Sequence, residues 1–106
     1  MAYQLGEGNE LVVLMNEVEK WAEARNLIEG STPHAQFHKL IQEAAELSES
    51  ICKGKDATDD IGDVFVVLII LAKQLGLNIV DCLAFSYDEI KDRKGKMVNG
   101  VFVKEE

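Results

Sequence analysis

The sequence predicts an all-α fold, four helices in an antiparallel, bundle-like arrangement. Apolar residues recur at three- and four-residue spacing in four successive segments. Each segment is preceded by a residue able to cap a helix, and Gly30, Gly54 and Gly76 close the first three. Only the tract around Asn99-Gly100 carries a strand-and-turn signature, which leaves room for a short C-terminal β-hairpin. A chain of 106 residues with 47% hydrophobic content can build one core. With no repeat, low-complexity tract or linker, 1–106 reads as a single domain.

The first helix carries Leu11, Leu14, Met15, Val18, Trp21, Ala22 and Ile28 at helical spacing. Asn9 is its candidate N-cap, behind a loosely held lead-in from Met1 to Gly8. Trp21 could stack on a nucleobase, but its place on the apolar stripe reads as core. Ser31, Thr32 and Pro33 then form a start signal, an N-cap followed by proline in the first turn. The second helix is expected to bury Phe37, Leu40, Ile41, Ala44, Leu47 and Ile51. Gln36, Lys39, Glu43, Glu46 and Ser50 make a separate polar stripe beside them. His34 and His38 are read as exposed or capping, since no third soft ligand accompanies them.

Asp56 is placed to cap the third helix, which runs to Gln74. After Asp63 it reads VFVVLIILA, nine apolar positions without a polar break. Such a helix presents more apolar surface than three partners in so small a chain can cover. The expectation is therefore a homo-oligomer, with this helix near its centre. Gly62 costs helix propensity and would let another backbone come close. Asn78 caps a fourth helix with Ile79, Val80, Leu83, Ala84, Tyr87 and Ile90 as its apolar set. It runs into KDRKGK, where Lys91, Arg93, Lys94 and Lys96 crowd together. Dipole complementarity at a helix C-terminus explains such a cluster, and phosphate binding is the sharper alternative.

A net charge of −8 argues against nucleic-acid binding and against adhesion to anionic membranes. The apolar stretch 64–72 is far short of the roughly 20 residues a spanning helix needs. No leader-like segment is evident, and Cys52 and Cys82 lack metal-type spacing, so free thiols in a cytoplasmic setting are expected.

Two acidic pairs remain. Glu43 and Glu46 stand three apart on the second helix, and Asp60 and Asp63 stand three apart on the third. Residues so spaced are neighbours on one helix face. Asp56, Asp60, Asp63, Val67, Ile70 and Gln74 form one stripe, so if Val67 and Ile70 point inward the two aspartates do too. Carboxylates gathered at a partly buried spot must protonate or bind cations. A solvated face is the plainer reading of the second-helix stripe, with Glu43 at the core margin and Glu46 beyond it. Oxygen ligands without clustered Cys or well-placed His favour Mg²⁺ or Mn²⁺ over Zn²⁺.

Glu43-x-x-Glu46, thirteen intervening residues and then Asp60-x-x-Asp63 resembles the metal motif of the MazG-like all-α nucleoside triphosphate pyrophosphohydrolases. That motif reads E-x-x-E, then E-x-x-D after a variable gap. KLIQEAAEL, IGDVFVVLIILAKQLGL and KDRKGKM agree with it, and the resemblance runs from about Val18 to Val103. It implies hydrolysis of a ribo- or deoxyribonucleoside triphosphate between the α and β phosphates, giving monophosphate and pyrophosphate. It also implies Mg²⁺ (or Mn²⁺) held by Glu43, Glu46, Asp60 and Asp63, in a dimer or tetramer. Asp60 departs from the family's glutamate; its shorter side chain would ligate through water or yield to Asp59. Lys39, Lys91, Arg93 and Lys94 are the candidate contacts for a triphosphate. A non-catalytic helical interaction module or nucleotide-binding protein is the alternative.

Overall fold

Four helices and a hairpin follow one another: α1 (Glu10–Ala24), α2 (Pro33–Cys52), α3 (Thr58–Gln74), α4 (Ile79–Ile90), β1 (Gly95–Val98) and β2 (Val101–Lys104). The structure, a computed structural model, describes residues 10–105. The lead-in from Met1 to Gly8 and the Asn9 cap lie outside the described residues. Among those residues, α3 is the central element and packs against α1, α2 and α4, while α2 packs on α3 alone.

The local signals for the second and fourth helices act as expected. Thr32 Oγ1 accepts the Ala35 amide at 3.1 Å, with Pro33 in the first turn of α2. Asn78 Oδ1 accepts from Val80 at 2.9 Å and from Asp81 at 3.1 Å, opening α4. The first helix ends earlier than Gly30. Asn26 takes the left-handed conformation at φ 58°, and Leu27 donates to the Ala22 carbonyl at 2.9 Å. Together with the bond from Asn26 to the Glu23 carbonyl, this is a Schellman close in which asparagine does what glycine usually does.

Asp56 acts one residue further out than a cap would. Ala57 holds the N-cap position of α3, and Asp56 Oδ1 accepts from the Thr58 amide at 3.0 Å and hydroxyl at 2.7 Å. Those two donors hold the Asp56 carboxyl below its ordinary value of 3.8. A depressed folded-state pKa contributes stability that is present above the unfolded value and lost as pH falls through the folded one. Asp56→Ala is therefore expected to lower Tm at neutral pH, with the gap to the parent narrowing below about pH 3.8. Melts followed by circular dichroism across that range would test it, and a gap that does not change with pH would contradict it.

The core is small and centred on α3. Met15, Ala22, Val67, Ile69, Ile70 and Ala72 are buried, and no residue of 64–72 is exposed. The long apolar run is thus largely covered within the chain, and the apolar surface left over lies elsewhere. On α2 the buried residues are Gln36 and Glu43, with Leu40 and Leu47 half-buried. Phe37, Ile41, Ala44 and Ile51, expected in the core, face outward. Two stripes share this helix, and α3 packs on the polar one, with its own acidic pair and Gln74 on the matching stripe. Trp21 is also exposed rather than core, with the Arg25 guanidinium stacked 4.5 Å from its ring. A Cβ at Gly62 would meet nothing within 4 Å, so no backbone of the described residues approaches there.

The fourth helix departs from a bundle. It bends away from α3 by 101°, and most of its apolar set, including Leu83, Tyr87 and Ile90, is exposed. Beyond it, Asn99 and Gly100 take φ 51° and 81°, the paired left-handed residues of a type I′ turn. The expected hairpin follows, pairing Met97 with Phe102 and Val98 with Val101. No single helix among the described residues is long and apolar enough to cross a bilayer.

Candidate metal centre

Both acidic pairs come to the α2–α3 contact. Val67 and Ile70 point inward from α3, and Asp60 and Asp63, earlier on the same stripe, are half-buried. Opposite them, Glu43 is 6% exposed, the most buried charged residue in the described chain. Glu46 lies one turn on at the open edge and is exposed. Lys39 Nζ pairs with Glu43 Oε1 at 3.0 Å, reaching in from a half-exposed position.

The electrostatics show that these groups feel one another. The hydrogen bond from Lys39 holds the Glu43 carboxyl below its ordinary value, against the opposing effect of burial. The same bond raises Lys39. Glu46 is pushed up by its hydrogen bond with Glu43 and then by the Glu43 charge. Asp63 is raised first by burial, then by Asp59, Glu43 and Asp60. Glu43 acts on Asp63, and Asp60 on Glu46, across the two helices, so the two acidic pairs feel one another over the α2–α3 contact.

Glu43 Oε2 is buried and has no hydrogen-bond partner. With every carboxylate ionised, nothing donates to it. A protonated Glu46 could supply that donor, which is why Glu46 is the member of the pair whose proton is held more tightly. A cation would satisfy the same oxygen. The donor set is of the right kind, hard carboxylate oxygens with no sulfur or imidazole among them. Among the described residues, no three His, Cys, Asp or Glu side chains stand close enough, as placed, to share one ion. Ligation by all four would need these side chains to rotate toward one another.

Lys91, Arg93 and Lys94 lie elsewhere in the chain. Among the described residues no Cα of α2 comes within 8 Å of one in α4, and Lys91 Nζ pairs with Asp88 Oδ1 at 2.8 Å. Asp63 stands about 16 Å along α3 from Gln74, and α4 adds about 18 Å in a nearly perpendicular direction. Lys39 is the basic residue whose charge the carboxylates feel. Gln74, at the far end of the acidic stripe, is a stripe member to which the sequence assigns no role. Its Nε2 donates to the Leu27 and Ile28 carbonyls at 3.3 Å, tying α3 to the loop after α1.

Over 67 residues the chain is 51% identical to the uncharacterized 18.2 kDa protein in the rep-hol intergenic region of Haemophilus phage HP1 (strain HP1c1). The match takes in 61% of this chain and 41% of that protein, so the chain spans less than half of that relative. No family model matches the chain, and no solved structure matches it.

Proposed function

We propose that the protein is a Mg²⁺-dependent nucleoside triphosphate pyrophosphohydrolase, cleaving (d)NTP between the α and β phosphates. The observation that carries this reading is the buried Glu43 carboxylate, with one oxygen unpartnered, facing a second acidic pair across two packed helices. Such an arrangement costs stability unless a proton or a cation occupies it. The motif resemblance supplies the substrate class. Glu43, Glu46, Asp60 and Asp63 would hold the ion, and Mn²⁺ could replace Mg²⁺. Bound Mg²⁺ supplies Lewis acidity toward phosphate oxygens. Lys39, half exposed beside Glu43, is positioned to pair with a phosphate oxygen at the rim. The net charge of −8 otherwise repels a triphosphate, so the substrate depends on such contacts. The exposed apolar residues on α2 favour one rival reading, a helical interaction module without catalysis.

Metal separates the two. A ligand that binds only the folded state at a hundred times its Kd stabilises by about 2.7 kcal/mol. For a chain of this size that raises Tm by about 10 °C or more. Millimolar Mg²⁺ is expected to produce a rise of that order, reversed by chelator. A panel of ribo- and deoxyribo-triphosphates should yield monophosphate and pyrophosphate on ion-exchange chromatography. An unchanged Tm together with no turnover would leave the interaction module standing.

A further inference from the structure

Among the described residues, the backbone of the hairpin stands clear of the helices: no Cα of either strand comes within 8 Å of a helix Cα. Met97 and Phe102 mark one face of the ribbon, Val98, Val101 and Val103 the other, and all five are exposed. Phe102 folds its ring over Gly95, which leaves that side of the ribbon without further cover. A lone two-stranded hairpin is marginal in water, so one that carries large apolar residues on both faces needs a neighbour. The exposed Leu83, Phe85 and Tyr87 of α4 extend the same unpartnered surface.

Charge points to a second copy as that neighbour. Residues 91–104 hold five of the eleven basic residues and a single acid, Asp92. Residues 43–63 hold seven acids and two bases, Lys53 and Lys55. Among the described residues, the backbone of the hairpin stands clear of α2 and α3, and α4 leads the basic region away from α3. A two-fold pair of chains can bring each basic arm to the other's acidic face.

We infer that the protein is a homodimer, or a pair of such dimers, in which the C-terminal arm from Lys91 to Lys104 docks on the partner's α2–α3 face. The hairpin covers apolar residues of α2 there, Phe37 and Ile41 among them, both exposed in the single chain. Lys91, Arg93 and Lys94 then reach the partner's carboxylates, which their own chain does not allow. This last step rests on the hydrolase reading above; the docking itself does not.

Sedimentation velocity at micromolar concentration tests the docking. The parent should sediment as a dimer or larger, and Met97→Asp combined with Phe102→Asp should dissociate it to monomer. Its helical circular dichroism should be kept, since among the described residues the hairpin backbone stands clear of the helices. A monomeric parent, or a double variant that stays associated, would overturn the inference. Subunit mixing tests the shared site. Glu46→Gln chains and chains with Lys91, Arg93 and Lys94 all replaced by alanine should each be inactive or nearly so. Mixed in equal amounts and allowed to reassort, they should recover about a quarter of the parent's specific activity, because half the dimers are mixed and each has one intact site of two. No recovery, with reassortment verified by tagged chains, would place the basic residues outside the partner's site. If the parent hydrolyses no triphosphate, the hydrolase reading and the shared site fall together, and sedimentation still decides the docking.

Discussion

Glu46→Gln and Asp63→Asn are each expected to abolish metal-dependent triphosphate hydrolysis while leaving the helices folded. An amide keeps the shape of the carboxyl and removes the charge that holds a cation. Lewis-acid stabilisation is worth several kcal/mol, and at tenfold per about 1.4 kcal/mol its loss lowers kcat by at least about a hundredfold. Asp60→Asn should be the milder lesion if that shortened side chain acts through water. Stability should move the other way. Both Glu46 and Asp63 have carboxyl pKa values raised in the fold, the first by Glu43 and the second by burial and its acidic neighbours. A raised folded-state pKa means stability that is complete below the unfolded value and lost as pH rises through the folded one. Without metal, the contribution of these two carboxyls to the parent's stability should therefore fall as pH rises from the ordinary values of 4.5 and 3.8 toward neutrality. The amide variants should lose less, and match or exceed the parent at pH 7. They should also lose the Tm rise given by Mg²⁺. Steady-state kinetics and paired melts would check this, and full activity in both variants would end the hydrolase reading.

The parts of this fold that were legible in the sequence are those set by local chemistry. Thr32-Pro33, Asn78 and Asn99-Gly100 each specify a backbone conformation through their own side chains, and each acts at its place. The stripe from Asp60 through Val67 to Ile70 was legible for a different reason. A helix with nine apolar residues in a row has no alternative face to offer, so its acidic positions follow its apolar ones inward. The second helix allowed two answers. Phe37, Ile41 and Ile51 form a good apolar stripe and Gln36, Glu43 and Ser50 a good polar one, and periodicity does not say which is covered inside the chain. Packing against α3 chose the polar stripe, which made Glu43 a buried charge rather than a marginal one. The end of α1 was misplaced because asparagine at φ 58° closes a helix without announcing itself as glycine does. The distance between the basic arm and the carboxylates lay beyond sequence altogether, since it depends on the bend after Gln74.

Ile70→Ala is expected to destabilise the protein by about 2–5 kcal/mol, the cost of deleting a well-buried aliphatic side chain and leaving a cavity behind. Ile70 is 3% exposed on α3, the helix against which α1, α2 and α4 pack. A domain of this length holds about 5–15 kcal/mol in total, so the loss is a large fraction of what keeps it folded. Tm should fall by about 10 °C or more, measured by circular dichroism without metal. The same substitution also probes the site. Ile70 lies on the stripe of Asp63, two turns away, and together with Val67 it seats α3 against the polar face of α2. Loosening that seat lets α2 and α3 separate, which spreads the facing carboxylates and gives Glu43 back its water. The Mg²⁺-induced rise in Tm should therefore be smaller in Ile70→Ala than in the parent, even though no ligand has been altered. A Tm loss of less than about 3 °C would mean that the α2–α3 seat does not depend on this side chain. A large loss with the Mg²⁺ increment fully retained would separate the core of the fold from the geometry of its acidic site.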